Sequence, residues 1–318
     1  MTDLSIVVPL YNEEQSVRPL FDAIAAAIDP LDQEVEVIFV DDGSRDNTFN
    51  VAKNIALEDE RLRVVKFRRN YGQTPAMAAG IDLARGKVIV TMDGDLQNDP
   101  SDIPNFFAKM DEGYDIVVGW RFNRQDKLVS RKIPSKIANW IIGKVTGVPI
   151  RDNGCSLKAF RADVIKNVPL YSEMHRFIPA MASIAGPKIA EIKVKHHARQ
   201  FGESKYGISR VYKVLLDLMT IKTISTFSTR PLLWFAMLSV PFFILSIGML
   251  IGSIVALGDV GASSLAMAGA GLLFGTLSFF LLFSGGFAEI ISRTGHDDVT
   301  RYPLLTAKEI SSDNPKLK

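Results

Sequence analysis

Leu4-Ser5-Ile6-Val7-Val8-Pro9-Leu10-Tyr11-Asn12-Glu13 is the stretch that sets the class of this chain. Leu4 to Val8 is a short β-branched run, the mark of a strand buried on both faces. Pro9 to Glu13 ends it in turn residues and places the Tyr11 ring where it can stack on a base. A helix follows, capped at Asn12, with Gln15 three residues on, or at Ser16, since Pro19 sits awkwardly inside a helix begun at Asn12. Its apolar stripe is Val17, Leu20, Phe21, Ile24 and Ile28. The alternation then repeats. Strands are expected over 35–40, 62–67, 87–92 and 114–118, and helices over 48–57, 74–84 and 100–110. Thr74-Pro75 reads there as a cap and first helical residue. Such repetition predicts an α/β fold with a mainly parallel sheet and right-handed crossovers, with ligands beyond the carboxyl ends of the strands.

The other end of the chain is different in kind. No residue between Arg230 and Asp259 is ionisable, and none between Asp259 and Glu289. Each stretch exceeds the roughly 20 apolar residues that cross a bilayer. Lys205, Arg210, Lys213, Lys222 and Arg230 lie before the pair and Arg293, Arg301 and Lys308 after it, while the linker has no Lys or Arg. The positive-inside rule then predicts a two-helix hairpin with the N-terminal soluble domain and both termini cytoplasmic, in a plasma or inner membrane. Between 208 and 227, apolar and basic residues interleave as in helices lying on an anionic leaflet, or as in an ordinary core-facing helix. The tail after Ile310 is polar and expected to be loose. The formal net charge of +2 gives no sign of a nucleic-acid binder, and the one cysteine, Cys155, excludes an intramolecular disulfide.

Three clusters carry chemistry. Asp93-Gly94-Asp95 closes a predicted strand, and two carboxylates at that spacing can hold a hard divalent cation that shares its shell with substrate phosphates. Gln97 adds an oxygen, and Gly94 lets backbone approach the ligand. A plain turn uses the same residues. Asp41-Asp42-Gly43-Ser44 offers acceptors for a pyrimidine N–H or ribose hydroxyls, or an ordinary strand-to-helix turn. His196-His197 reads against a metal site, since neighbours on a strand point to opposite faces. Cys155 reads as packing.

Taken in order, these segments resemble the inverting family 2 glycosyltransferases. Within that family, Asp93 to Pro100 and Arg199-Gln200-Phe201-Gly202-Glu203-Ser204-Lys205-Tyr206 resemble the polyisoprenyl-phosphate sugar transferases, over roughly residues 4–210. The resemblance implies a GT-A domain over 1–204, juxtamembrane helices over 205–230, two spans over 231–291 and a cytoplasmic tail over 292–318. It implies that Pro9, Tyr11, Glu13, Asp41 and Asp42 lie around the nucleotide. Asp93, Asp95 and Gln97 are placed around Mg²⁺ or Mn²⁺ and the donor diphosphate, with Arg199, Ser204 and Lys205 over the donor phosphates. Arg121, Arg131 and Ser135 hold the acceptor phosphate on this reading. Asp152 lies near the sugar, in a segment where Cys155-Ser156 replaces the usual Gly-Phe. The implied reaction moves a hexose, glucose from UDP-glucose first, to undecaprenyl phosphate with inversion, at the cytoplasmic membrane face. GDP-mannose or a modified sugar donor is the alternative, and a homo-oligomer, a tetramer among the options, is expected. A lipid monophosphate, largely dianionic near neutrality, needs no strong general base. A scaffold role fits poorly with clustered Asp93, Asp95, Arg121 and Arg131. A processive synthase fits poorly with the absence of a Gln-x-x-Arg-Trp segment, and a flippase with only two spans.

Overall fold

Five strands and their helices follow one another much as the alternation predicts, and three further strands complete the sheet. In the computed structural model the described residues are 2–122, 142–144, 148, 150–168, 170, 177–182, 186–198, 219, 230–256, 262–294 and 308–310. They form two compact units, one of 1–218 with 298–318 and one of 219–297.

The first unit opens with β1 (Leu4–Leu10), α1 (Val17–Ile28), β2 (Val35–Asp41), α2 (Thr48–Glu58), β3 (Leu62–Lys66), α3 (Gln73–Leu83) and β4 (Val88–Thr91). A 3₁₀ turn (Pro100–Asp102) leads into α4 (Ile103–Asp111), then β5 (Ile116–Arg121), β6 (Lys158–Arg161), α5 (Ala162–Ile165), α6 (Ile178–Ala182) and β7 (Ile189–Val194). β8 (Lys308–Ile310) completes an eight-stranded sheet ordered β7-β5-β6-β4-β1-β2-β3-β8. β1, β2, β3 and β4 pair in parallel, as do β5 and β7. β6 runs antiparallel between β4 and β5, and β8 antiparallel along β3. Neither antiparallel strand is foreseen by the alternation. β1 is buried along its whole length because helices cover both faces of the sheet.

Ser16 holds the N-cap position of α1, as one of the two cap readings has it, although its hydroxyl donates to Glu13 at 2.7 Å instead of capping. Thr74 does not cap α3. That helix starts at Gln73 after Gly72, whose φ of +105° suits glycine. α3 crosses the sheet at Gly80, where a Cβ would fall 2.3 Å from Val7 Cγ1 and 3.2 Å from Val40 Cγ2. Gly80→Ala is therefore expected to lower unfolding stability by about 1–3 kcal/mol through overpacking. Denaturant titration against the parent chain measures it.

The second unit holds α7 (Pro231–Val255) and α8 (Ala262–Thr294). Both contain windows apolar enough to cross a membrane, and only 11% of each window is buried. A core helix of a soluble protein would be covered; an apolar surface of this extent calls for lipid. Ser239, Ser246 and Ser253, spaced by heptads, form the buried face of α7. Ser246 donates to the Gly271 carbonyl at 2.7 Å and Ser253 to that of Ser264 at 2.8 Å, while Ser278 of α8 donates to Ser239 at 3.0 Å. Small residues with hydroxyls across the seam are what helix association in lipid uses.

Candidate active site

The carboxyl ends of β1, β2, β4 and β5 lie along one edge of the sheet, and the polar residues of the sequence motifs gather there. Leu10 pairs with Asp41 in register, so the turn after β1 and the turn after β2 stand side by side. Asn12, left-handed at φ +55°, accepts from the Arg45 N–H at 2.9 Å, and its own N–H donates to Ser44 Oγ at 2.9 Å. Tyr11 and Glu13 are half-buried beside these turns and Pro9 is buried.

Asp41 and Asp42 are both buried but differ in use. Asp41 Oδ1 accepts from the Ser44 N–H at 3.1 Å, while its Oδ2 has no partner among the described residues. Burial raises the Asp41 pKa above the ordinary carboxylate value. A buried orphan acceptor calls for a donor that comes and goes. Asp42 instead spends both oxygens on the chain, accepting from Tyr71 N–H at 2.7 Å and Gly72 N–H at 2.8 Å. Burial pushes its pKa to about 6 in spite of these bonds. A carboxyl that titrates higher when folded loses stability as pH rises. Between pH 4 and pH 6 the folded state gives up about 3 kcal/mol on this account. Thermal unfolding across that range should show Asp42→Asn with a flatter slope than the parent.

Asp93 and Asp95 flank Gly94 just beyond β4. A Cβ at Gly94 would fall 2.5 Å from Leu10 Cδ2 and 3.3 Å from the Pro9 carbonyl oxygen. The close approach expected of this glycine is thus to the end of β1, and it draws the acidic turn against the first motif. Asp95 is 8% exposed, and its Oδ1 accepts from the Gln97 N–H at 3.1 Å. Leu96 between them is left-handed at φ +59°, a strained conformation for a branched residue, of the kind found at functional turns. Gln73 Nε2 donates to Asp93 Oδ1 at 2.6 Å.

At the end of β5, separated from β4 by β6, Arg121 meets Asp152. Its Nε donates to Asp152 Oδ2 at 2.7 Å and its Nη2 to Oδ1 at 2.8 Å, a bidentate pair almost out of solvent. Burial works against the Arg121 charge, but Asp152 outweighs it, with Asp93 adding a smaller pull, and the guanidinium is held above its ordinary value. The fork assigned by resemblance to an acceptor phosphate is therefore engaged by protein through Nε and Nη2. The segment after Asp152 is anchored at Ser156: Asn98 Nδ2 donates to Ser156 Oγ at 2.6 Å, and Thr91 Oγ1 to the Ser156 carbonyl at 3.0 Å. Burial pushes the Cys155 thiol up to about 11, which fits packing.

Lys158, 2% exposed, donates to the Asn153 carbonyl at 3.3 Å and brings a second buried cation to this edge. The chain leaving β7 is pinned here too. His197 N–H donates to the Gln97 carbonyl at 2.9 Å, and His197 Nε2 lies 3.1 Å from Asp99 Oδ2. Arg131, Ser135, Arg199, Ser204 and Lys205 lie outside the described residues. Gln73, Asn98 and Ser156 escape a reading of the sequence because each bonds a partner distant along the chain, and Lys158 because its partner is a backbone carbonyl.

Among the described residues no three His, Cys, Asp or Glu side chains converge as a cage. Asp93 and Asp95 provide two hard oxygen donors at a strand end, a set that fits Mg²⁺ or Mn²⁺ when phosphates complete the shell.

Known proteins give this edge its context. A dodecaprenyl-phosphate galacturonate synthase of Rhizobium johnstonii is 45% identical over 304 residues, 93% of this chain and 89% of that one. An undecaprenyl-phosphate 4-deoxy-4-formamido-L-arabinose transferase of Shewanella sediminis is 42% identical over 69% of this chain and 66% of the relative. Among solved structures, the glucosyl-3-phosphoglycerate synthase of Mycobacterium tuberculosis in complex with Mn²⁺, UDP and glucosyl-3-phosphoglycerate shares the fold, with a TM-score of 0.55 at 15% identity. It matches 70% of this chain and 79% of that one. The family model for glycosyl transferase family 2 matches residues 5–168, which hold β1 through α5 and the whole acidic edge, and the chain belongs to that family.

Proposed function

We propose that the chain transfers a sugar, with inversion, from a nucleoside diphosphate to polyprenyl phosphate at the cytoplasmic face of a membrane. The observation that carries this is the pairing of an acidic turn, Asp93-Gly94-Asp95, with the buried Arg121–Asp152 couple on one sheet edge. Two anions must meet for this reaction, and the edge offers each a place. Asp41 Oδ2, without a partner among the described residues, can receive a donor N–H or hydroxyl, and Tyr11 at the end of the adjoining strand can stack on a base. Pro9, Glu13, Gln97, Arg199, Ser204 and Lys205 complete the donor side on this reading. A divalent ion held by Asp93 and Asp95, with Gln97, would neutralise charge on the departing diphosphate. Arg121, Arg131 and Ser135 receive the acceptor phosphate, whose oxygen attacks the anomeric carbon directly. Asp152, ionised against Arg121, faces the oxocarbenium-like carbon.

Two names among the relatives bear on the donor. The relative matched along nearly the full length of both chains is a galacturonate synthase, and others are named for a formamido-arabinose. We therefore place a UDP-hexuronate first, and the UDP-glucose expected by resemblance second. The hairpin of α7 and α8 keeps the domain at the bilayer that holds the acceptor, and the protein acts as a homo-oligomer. The test offers purified full chain a panel of UDP-sugars with undecaprenyl phosphate and Mg²⁺ or Mn²⁺, with the lipid product read by mass spectrometry. A β-linked sugar monophosphate lipid is expected. No lipid-linked sugar from any donor would overturn the reading.

A further inference from the structure

Asp42 and Asp93 end different strands, yet one short piece of backbone is bonded to both. Asp42 grips it at the Tyr71 and Gly72 N–H groups, at 2.7 and 2.8 Å, and the next residue, Gln73, reaches Asp93 at 2.6 Å. We infer that Gln73 is a positioning residue for Asp93, and that Tyr71–Gln73, held by Asp42, is a strut joining the nucleotide side of the site to its phosphate side. This rests on the proposed role of Asp93 in the metal site.

Three observations build the strut. An ionised carboxylate only accepts, so the Gln73 amide presents nitrogen to Asp93, and this is the hydrogen bond Asp93 makes among the described residues. It engages Oδ1 and leaves Oδ2 for a ligand. Gln73 is also the first residue of α3, so its backbone is set by the helix, and Gly72 at φ +105° makes the turn into it. Finally, the loop before it lies hard against the Asp41-Asp42-Gly43 turn. A Cβ on Gly43 would fall 2.4 Å from the Arg69 carbonyl carbon and 2.7 Å from the Asn70 nitrogen. A displacement of either acidic turn therefore moves the other. Without the amide, Asp93 is free to rotate about its side-chain bonds and must be ordered by the ion itself, which costs affinity and leaves the chemical step alone.

The experiment measures Mn²⁺ binding to full chain in detergent with UDP present, by calorimetry, beside UDP binding without metal, thermal unfolding and the Mn²⁺ dependence of turnover. Gln73→Met is expected to weaken Mn²⁺ binding about tenfold, the scale of one hydrogen bond to a charged group. The Mn²⁺ concentration for half-maximal rate rises in parallel, while kcat at saturating Mn²⁺, metal-free UDP binding and Tm hold. Asp42→Ala, which frees the strut at its other end, should weaken Mn²⁺ binding in the same direction. Unchanged Mn²⁺ affinity in Gln73→Met overturns the inference. So does a joint fall of Tm, metal-free UDP binding and Mn²⁺ binding, which marks a merely structural bond. If the parent chain itself binds no Mn²⁺, the metal reading falls with it, and that outcome is distinguishable because it appears before any substitution.

Discussion

Asp95→Asn is expected to cut turnover on the order of 10³-fold while leaving the fold in place. The side chain sits at a strand end, 8% exposed, and one oxygen accepts the Gln97 N–H at 3.1 Å. Asparagine keeps an acceptor for that bond and the same volume, so thermal unfolding should shift by no more than about 1 kcal/mol. What it removes is the negative charge beside Asp93, and with it half of the carboxylate pair proposed to hold the ion. Rate at saturating donor and lipid, measured with and without EDTA, decides the matter. A variant that runs at the parental rate in EDTA removes the metal from the mechanism.

Arg121→Ala should have a comparable effect on rate and a far larger one on stability. It strands the Asp152 carboxylate, 3% exposed, without its bidentate partner, and an uncompensated buried charge costs about 3–5 kcal/mol. Stability and catalysis separate in the double variant Arg121→Met/Asp152→Leu. Apolar side chains of similar volume in place of a buried pair are often neutral, so unfolding should return near the parental midpoint while turnover stays absent. Arg121→Lys keeps charge but loses the fork, and recovers only part of either. Parental kinetics in the double variant would confine the pair to structure.

The parts legible in the sequence are those where one face decides the residue. β1, β2 and β3 are buried on both sides and bounded by turn residues, so Leu4, Val35 and Leu62 mark their starts correctly. The acidic turns follow because parallel strands end at one edge. β6 escapes because Lys-Ala-Phe-Arg opens with a charge that is buried only because Asn153 and its surroundings receive it. The α3 cap reads as Thr74 in the sequence because Gly72 solves the turn by conformation, which leaves no polar signature. The Arg121–Asp152 couple spans thirty-one positions, and no local pattern announces it. Asp42 resembled a ligand-facing residue until both its oxygens were found on backbone amides.

β8 carries one more consequence. Lys308–Ile310 pairs with Val64–Lys66, so a strand encoded after both apolar helices lies in the same sheet as strands encoded before them. That fixes a parity. Whatever crossings the chain makes between Lys66 and Lys308 must be even in number, since a sheet cannot have its strands on opposite sides of a bilayer. Lys308–Ile310 and the acidic edge therefore share a compartment, and a lone span between Lys66 and Lys308 would leave β3 without its last neighbour.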